Sequence, residues 1–437
     1  MTGQQTLFAR VALGLLAAGL SVFLSSWLRL RVLENRRFDR MIYAAFAMSR
    51  LGLFGMVFLV WHTAPRGDVP SYYMQQAQWV LRGLVPYRDF VSSYAPLHPY
   101  LDAGLILAWH TPLAIMFFSV LVELFLIPLW MLAGRQFLTE GELRTGALLY
   151  LASPISLQFV AIDGQDNVVI AVLIVLAVLL ILRSRIAAAG ATLGLSVAAI
   201  KFLPLLYVPA FFAAVSRRMR LVLGAVVVCG VVYGGFAMLH APVMEPLAAE
   251  RELRSAGDFP YVVETIVGVM LPARLTDGCL LLVLAAIFAC VGRLAYRAPI
   301  EVRMRALTFG MVAATLALLA FSKKSWPPYL MLALFPVCLA VGGSSASRVW
   351  DRLRIAGFAI FSVLAVAEHS YWSSMFAQFS SLEFHSQLRT GRHDVWALLV
   401  VEVLLVSGYL WLLMEAVRRI LRRNLPDALE TRRVFVD

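Results

Sequence analysis

Apolar residues recur along this chain in runs of about 20, from Leu7 to Met414, each closed by an arginine-rich or Pro/Gly-rich break. The runs lack the polar stripe of a helix packed into a soluble core, and their length matches the roughly 30 Å hydrocarbon layer of a bilayer. The pattern predicts an all-α, polytopic transmembrane bundle of about thirteen helices, one transmembrane domain over 1–437. The spans fall at 7–28, 41–61, 112–134, 145–162, 167–182, 186–200, 202–216, 220–240, 277–296, 305–321, 329–346, 355–369 and 395–416. The first run has no small-residue cleavage site before its arginines and reads as a retained helix.

Basic clusters fix the sidedness, because cytoplasmic loops are enriched in Lys and Arg. They fall in every second loop: Arg29, Arg31, Arg36, Arg37 and Arg40; Arg183 and Arg185; Arg217, Arg218 and Arg220; Arg293, Arg297, Arg303 and Arg305; Arg348, Arg352 and Arg354. Arg418, Arg419, Arg422 and Arg423 make 417–437 a basic cytoplasmic tail. The N-terminus is then outside and the helix number odd. The runs 186–200 and 202–216 form a tight hairpin with Lys201 near its outer tip and Pro204 just past the turn. The longest outer loop, 63–111, holds an amphipathic stretch from Ser71 to Arg82 and an apolar piece from Leu101 to Trp109, too short to span. Both are expected as juxtamembrane helices.

Composition agrees: 61% of the 437 residues are hydrophobic and 15% charged, far from a soluble domain's usual balance. The net charge of +12 is dispersed in topological clusters, which speaks against nucleic acid as a partner. Cys229, Cys279, Cys290 and Cys338 show no metal-type spacing and read as packing residues. No Walker or Rossmann signature is present, so nucleotide-driven chemistry is not expected.

Charged groups at membrane depth are costly and concentrate at working sites. The only three lysines, Lys201, Lys323 and Lys324, all fall in outer segments, where compact ammonium groups suit a phosphate and equally suit interfacial anchoring. Asp68 follows Pro65-Arg66-Gly67 ahead of Pro70; it reads as an N-cap and as a general base held by a helix end. Asp89, beside Arg88, is the competing carboxylate. Gly164-Gln165-Asp166-Asn167 is a short outer turn, with Asp166 or Asn167 as a cap or as part of an outer polar patch. Arg50 and Glu123 fall in neighbouring spans at similar depth and read as a structural ion pair.

Four segments carry a family likeness: Gly67-Asp68 with Tyr72, Tyr73 and Gly83-Leu84-Val85-Pro86-Tyr87; Tyr94-Ala95-Pro96-Leu97; Gly164-Gln165-Asp166-Asn167 with Gly190 to Lys201; and Lys323-Lys324 with Tyr329 and Pro336. In this order the chain resembles the GT-C superfamily of membrane glycosyltransferases. More narrowly it is similar to the bacterial polyprenyl-phosphate-mannose-dependent mannosyltransferases of glycosyltransferase family 87. The resemblance implies an inner-membrane enzyme whose site faces the periplasm. It would transfer mannose or another hexose or pentose from a polyprenyl-phosphate donor to a glycan or glycolipid acceptor, with inversion. Asp68 would be the base, with Asp89 second; Lys201, Lys323 and Lys324 would hold the lipid phosphate. Tyr72, Tyr73, Tyr87, Tyr94, His98, Gln165, Asp166 and Asn167 would line the substrate site. No cofactor is implied, and with Val69 and Pro70 after Asp68 no Asp-x-Asp pair indicates a divalent metal. The competing expectation is a transporter or flippase for a lipid-linked or anionic substrate. Such proteins show internal repeats and midplane polar sites, and neither is evident here.

Overall fold

The computed structural model describes residues 3–26, 37–249, 254–343, 348–375 and 379–421, and all regular structure among them is helical. Arg29, Arg31 and Arg36, and the tail beyond residue 421 with Arg422 and Arg423, lie outside the described residues.

Seven described helices are long and apolar enough to cross a bilayer: Gln4–Ser26, Phe38–Val60, Leu113–Gly134, Arg218–Met238, Ala273–Ala295, Ile300–Phe321 and His393–Leu421. Each lies within a few residues of a predicted span. The predicted span 145–162 is a pair, Glu140–Leu151 and Pro154–Ile162, bent by 45°. Pro154 explains the bend: its ring forces Ser153 into an extended conformation, and it has no N–H for the preceding turn. Large apolar side chains stay exposed on these helices, and Arg218–Met238 buries only 11% of its apolar window, as a lipid-facing helix does. The chain is an integral membrane protein.

The hairpin around Lys201 differs from expectation. Ile186–Ala199 forms as predicted, but the return leg is a 3-10 turn, Leu203–Tyr207, followed by the short helix Val208–Ala214. Pro204 and Pro209 sit at the first positions of these two pieces and break the hydrogen-bond ladder. The leg is too short for a full crossing.

The helices group into two compact units. The first comprises Met1–Ile42, Phe137–Gln158 and Arg254–Asp437, and includes Lys323 and Lys324. Ile300–Phe321 is the most enclosed of the seven long helices, 89% buried over its apolar window, and Arg305 on it reaches Glu142 at 3.0 Å.

The second unit comprises Tyr43–Gln136 and Phe159–Leu253. Its tightest contact is between Ile186–Ala199 and Arg218–Met238, and glycines make it possible. A Cβ on Gly190 would lie 1.9 Å from the Leu221 carbonyl oxygen, one on Gly194 2.6 Å from that of Ala225, and one on Gly224 2.1 Å from that of Ala187. Backbones approach this closely only across small residues. The Tyr233 hydroxyl then donates to the Val197 carbonyl at 3.1 Å, fixing the helix end that carries Lys201. Arg50 and Glu123 form the expected ion pair in this unit, 3.4 Å apart and fully buried.

The alternation of basic loops is testable on exposed positions. In a cysteine-free background, cysteines replacing Val91 or Ser386 should react with an impermeant thiol reagent in intact cells. One replacing Ser184, between Arg183 and Arg185, should react only after the membrane is opened. The reverse labelling would invert the topology.

Candidate functional site

The chain leaves Phe38–Val60 and turns at Gly67, whose φ of 76° only glycine adopts freely, to begin a helical turn at Val69–Tyr73. Asp68 is the N-cap residue, yet its carboxylate makes no capping bond. It accepts a 3.0 Å hydrogen bond from the Gln165 side-chain amide. Gly164, at φ 66°, brings these distant residues together. A Cβ there would meet Met116 Cγ at 2.6 Å and Val69 Cγ2 at 3.1 Å, so only glycine lets this turn press against the helix start behind Asp68. Bonds from Gly164 N to Val160 O and from Gln165 N to Phe159 O close the turn.

The next residue, Asp166, begins Asn167–Leu182, and it too makes no cap bond with its side chain. It is 4% exposed and lies between the Lys201 ammonium, Nζ at 3.1 Å from Oδ1, and the His98 ring, Nε2 at 2.8 Å from Oδ2. The His98 approach is short but off the line of a straight hydrogen bond, so charge is its main content. His98 Nδ1 faces Asp102 Oδ2 at 3.3 Å, one helical turn on. The Pro-rich segment delivers His98. Ala95 N donates to Ile200 O at 3.0 Å and Leu97 N to Ala198 O at 3.2 Å, strapping the loop to the helix end before Lys201. Tyr94 stacks on His98 at 4.7 Å, Tyr73 meets His98 edge-on at 4.8 Å, and Lys201 lies 5.0 Å over the Tyr94 ring. The Tyr87 hydroxyl donates to the Tyr94 carbonyl.

Burial works against charge on Asp166, but Lys201 and His98 outweigh it and hold its carboxyl well below the usual carboxylate range. Burial pulls His98 down, and the charges of Asp102 and Asp166 more than reverse this, leaving it above its ordinary value. Burial dominates at Asp102, with His98 opposing it, and its pKa rises from 3.8 to about 6. Both His98 and Asp102 are thus raised by folding. Their stabilising contribution is complete below the unfolded values and is lost as pH rises through the folded ones. The stability of the wild type should therefore fall relative to that of Asp102→Asn between pH about 4 and about 6, by on the order of 3 kcal/mol. Parallel curves would show that Asp102 is an ordinary carboxylate.

Other expected residues lie apart from this cluster. Asp89 is exposed, bonded to the Arg88 guanidinium at 2.8 Å and to Val85 N at 2.7 Å, and these bonds lower its pKa. Tyr72 is 55% exposed while its neighbour Tyr73 is fully buried, so the two point to different surroundings. Asn167 is buried at the start of its helix. In the other unit, Lys323 Nζ lies 3.6 Å from Asp277 Oδ2, a half-exposed pair, while the backbone around it is tied to Ser255. His98, expected at the substrate, is 1% exposed, with Nδ1 facing Asp102 and Nε2 facing Asp166.

Sequence reasoning missed Asp102, although its spacing of four from His98 on a helix was a usable signal. It also missed three buried carboxylates of the first unit, Asp258, Glu368 and Glu402, with the Trp372 indole donating to Glu402 at 3.1 Å. Among the described residues, no group of three or more His, Cys, Asp or Glu is arranged to hold a metal ion. Compared with known proteins, the chain matches no family model and no curated protein.

Proposed function

We propose that this chain is an inverting membrane glycosyltransferase. It takes a sugar, mannose or another hexose or pentose, from a polyprenyl-phosphate donor at the extracytoplasmic face of a bacterial inner membrane. The observation that carries the reading is the division of labour between two adjacent carboxylates. Asp166 is buried and neutralised by Lys201 and His98. Asp68 stands at a rigid helix start, partly open to solvent, left uncapped and oriented by one amide. A carboxylate held in place without a cationic partner among the described residues suits a general base, whereas Asp89 is weakened as a base by Arg88.

In the reaction, Asp68 takes the proton of an acceptor hydroxyl as that oxygen attacks the anomeric carbon. The bond from that carbon to the phosphate oxygen breaks, and polyprenyl phosphate leaves. Lysine ammonium groups stabilise the charge that gathers on the phosphate. Of the three lysines, Lys201 belongs to the same unit as Asp68 and is engaged by Asp166 at 3.1 Å. The acceptor is a glycan or glycolipid.

The test is incubation of the purified protein with a panel of polyprenyl-phosphate sugars and a crude glycolipid acceptor. Free polyprenyl phosphate formed with one sugar supports the reading; none formed from any sugar counts against it.

A further inference from the structure

The arginine-rich end of the first unit contains a cavity that the proposed transfer does not use. The start of helix Arg348–Met375 and the end of His393–Leu421 meet there. Arg354 donates to Glu415 at 2.8 Å, to Asp351 at 2.5 Å and to the Gly343 carbonyl. Beside this node opens a cavity of about 350 Å³, large enough for a small-molecule group. Its walls carry Trp350, Trp411, Arg354, Arg418, Glu415 and Gly357. Gly357 shapes one wall: a Cβ there would lie 3.4 Å from Cη2 of Trp411, so the outer edge of the indole meets the helix where it carries no side chain.

Charge and position define what fits. Glu415 and Asp351 both engage Arg354, so the cation left over at the cavity is Arg418. The Arg418 side chain is 67% exposed and touches Glu415 only at 3.6 Å, leaving most of its donors for another acceptor. Trp350 is 63% exposed, and two tryptophans beside arginines at a helix end are the pattern of a membrane interface. By the distribution of arginines this end belongs to the cytoplasmic leaflet, whose anionic lipids are drawn to juxtamembrane cations. A soluble anion would use the Arg418 guanidinium but leave the indoles and Leu353 without a partner. A lipid uses both.

We infer that this cavity binds the headgroup of one anionic phospholipid, its phosphate at Arg418 and its glycerol and first acyl carbons against Trp350 and Trp411. The site is independent of the Asp68 chemistry and stands whatever that chemistry proves to be.

The test titrates the full chain in mixed micelles with phosphatidylglycerol and with phosphatidylcholine, scoring bound lipid by native mass spectrometry. Wild type should prefer phosphatidylglycerol. Arg418→Ala should weaken that lipid about fivefold, from the energy of one cation near an anionic surface, and spare phosphatidylcholine. Trp350→Ala should weaken both lipids and serves as the second probe if Arg418→Ala does not fold. Inorganic phosphate should not displace the lipid. Unchanged phosphatidylglycerol binding in both variants overturns the inference, and so does displacement by phosphate, which would make this a soluble-anion site.

Discussion

Asp68→Asn should lower sugar transfer by about 10²–10⁴-fold while the protein folds normally and still binds the lipid donor. The asparagine oxygen can accept the same hydrogen bond that Gln165 Nε2 gives the carboxylate, so the helix start and the turn at Gly164 keep their geometry. What is lost is the basicity that takes the acceptor's proton. Asp89→Asn is the internal control. Its carboxylate bonds only within its own loop, to Arg88 and Val85, so turnover should stay near the wild-type level. If Asp68→Asn retains turnover and Asp89→Asn abolishes it, the two carboxylates exchange roles.

Lys201→Ala should destabilise the protein by about 3–5 kcal/mol, the cost of leaving one partner of a buried ion pair alone. The Lys201 and Asp166 side chains are 12% and 6% exposed, and Lys201 lies closer to Asp166 Oδ1 than any other cation in the cluster. Without it Asp166 keeps only the off-axis contact with His98, and the strap from Ala95 to Ile200 loses its cation at Tyr94. Asp166→Asn combined with Lys201→Met removes both charges and should recover most of the lost stability, since deleting a whole pair costs far less than halving it. Thermal unfolding in detergent reads both variants. An unchanged midpoint for Lys201→Ala would leave the lysine as an interfacial anchor, and a double variant no better than the single one would show that the two residues are not coupled.

The long helices were legible in the sequence because a bilayer demands uninterrupted apolar length, and that demand leaves a pattern whose ends can be read to within a few residues. Phe38–Val60, Leu113–Gly134 and Asn167–Leu182 all lie close to their expected bounds. Where proline sets the local geometry, hydropathy alone misread the chain: Pro154 bends one span, and Pro204 with Pro209 shortens the leg after Lys201. Of the site, the individual residues could be read but their partnerships could not. Asp68 and Asp166 both looked like caps, because a helix start preceded by aspartate is the local signal for one. Their carboxylates turn instead to Gln165, and to Lys201 and His98, across separations of 97, 35 and 68 positions that no local pattern encodes. Gly164 was visible as a turn glycine, but the need for a bare Cα follows only from where Met116 and Val69 pack. Asp102 was missed because an aspartate inside a short apolar helix reads as a surface residue until the histidine one turn earlier is known to be buried.

If Asp68 is the base of a transferase, the bond between the donor's sugar and its phosphate is broken at this protein. Purified wild type and Asp68→Asn can be reconstituted in vesicles with a doubly labelled polyprenyl-phosphate sugar and acceptor. Wild type should separate the labels, releasing one polyprenyl phosphate for each sugar that reaches the acceptor, and Asp68→Asn should leave them joined. Labels that stay joined in wild type while the intact lipid crosses the bilayer would contradict transfer and make the chain a transporter.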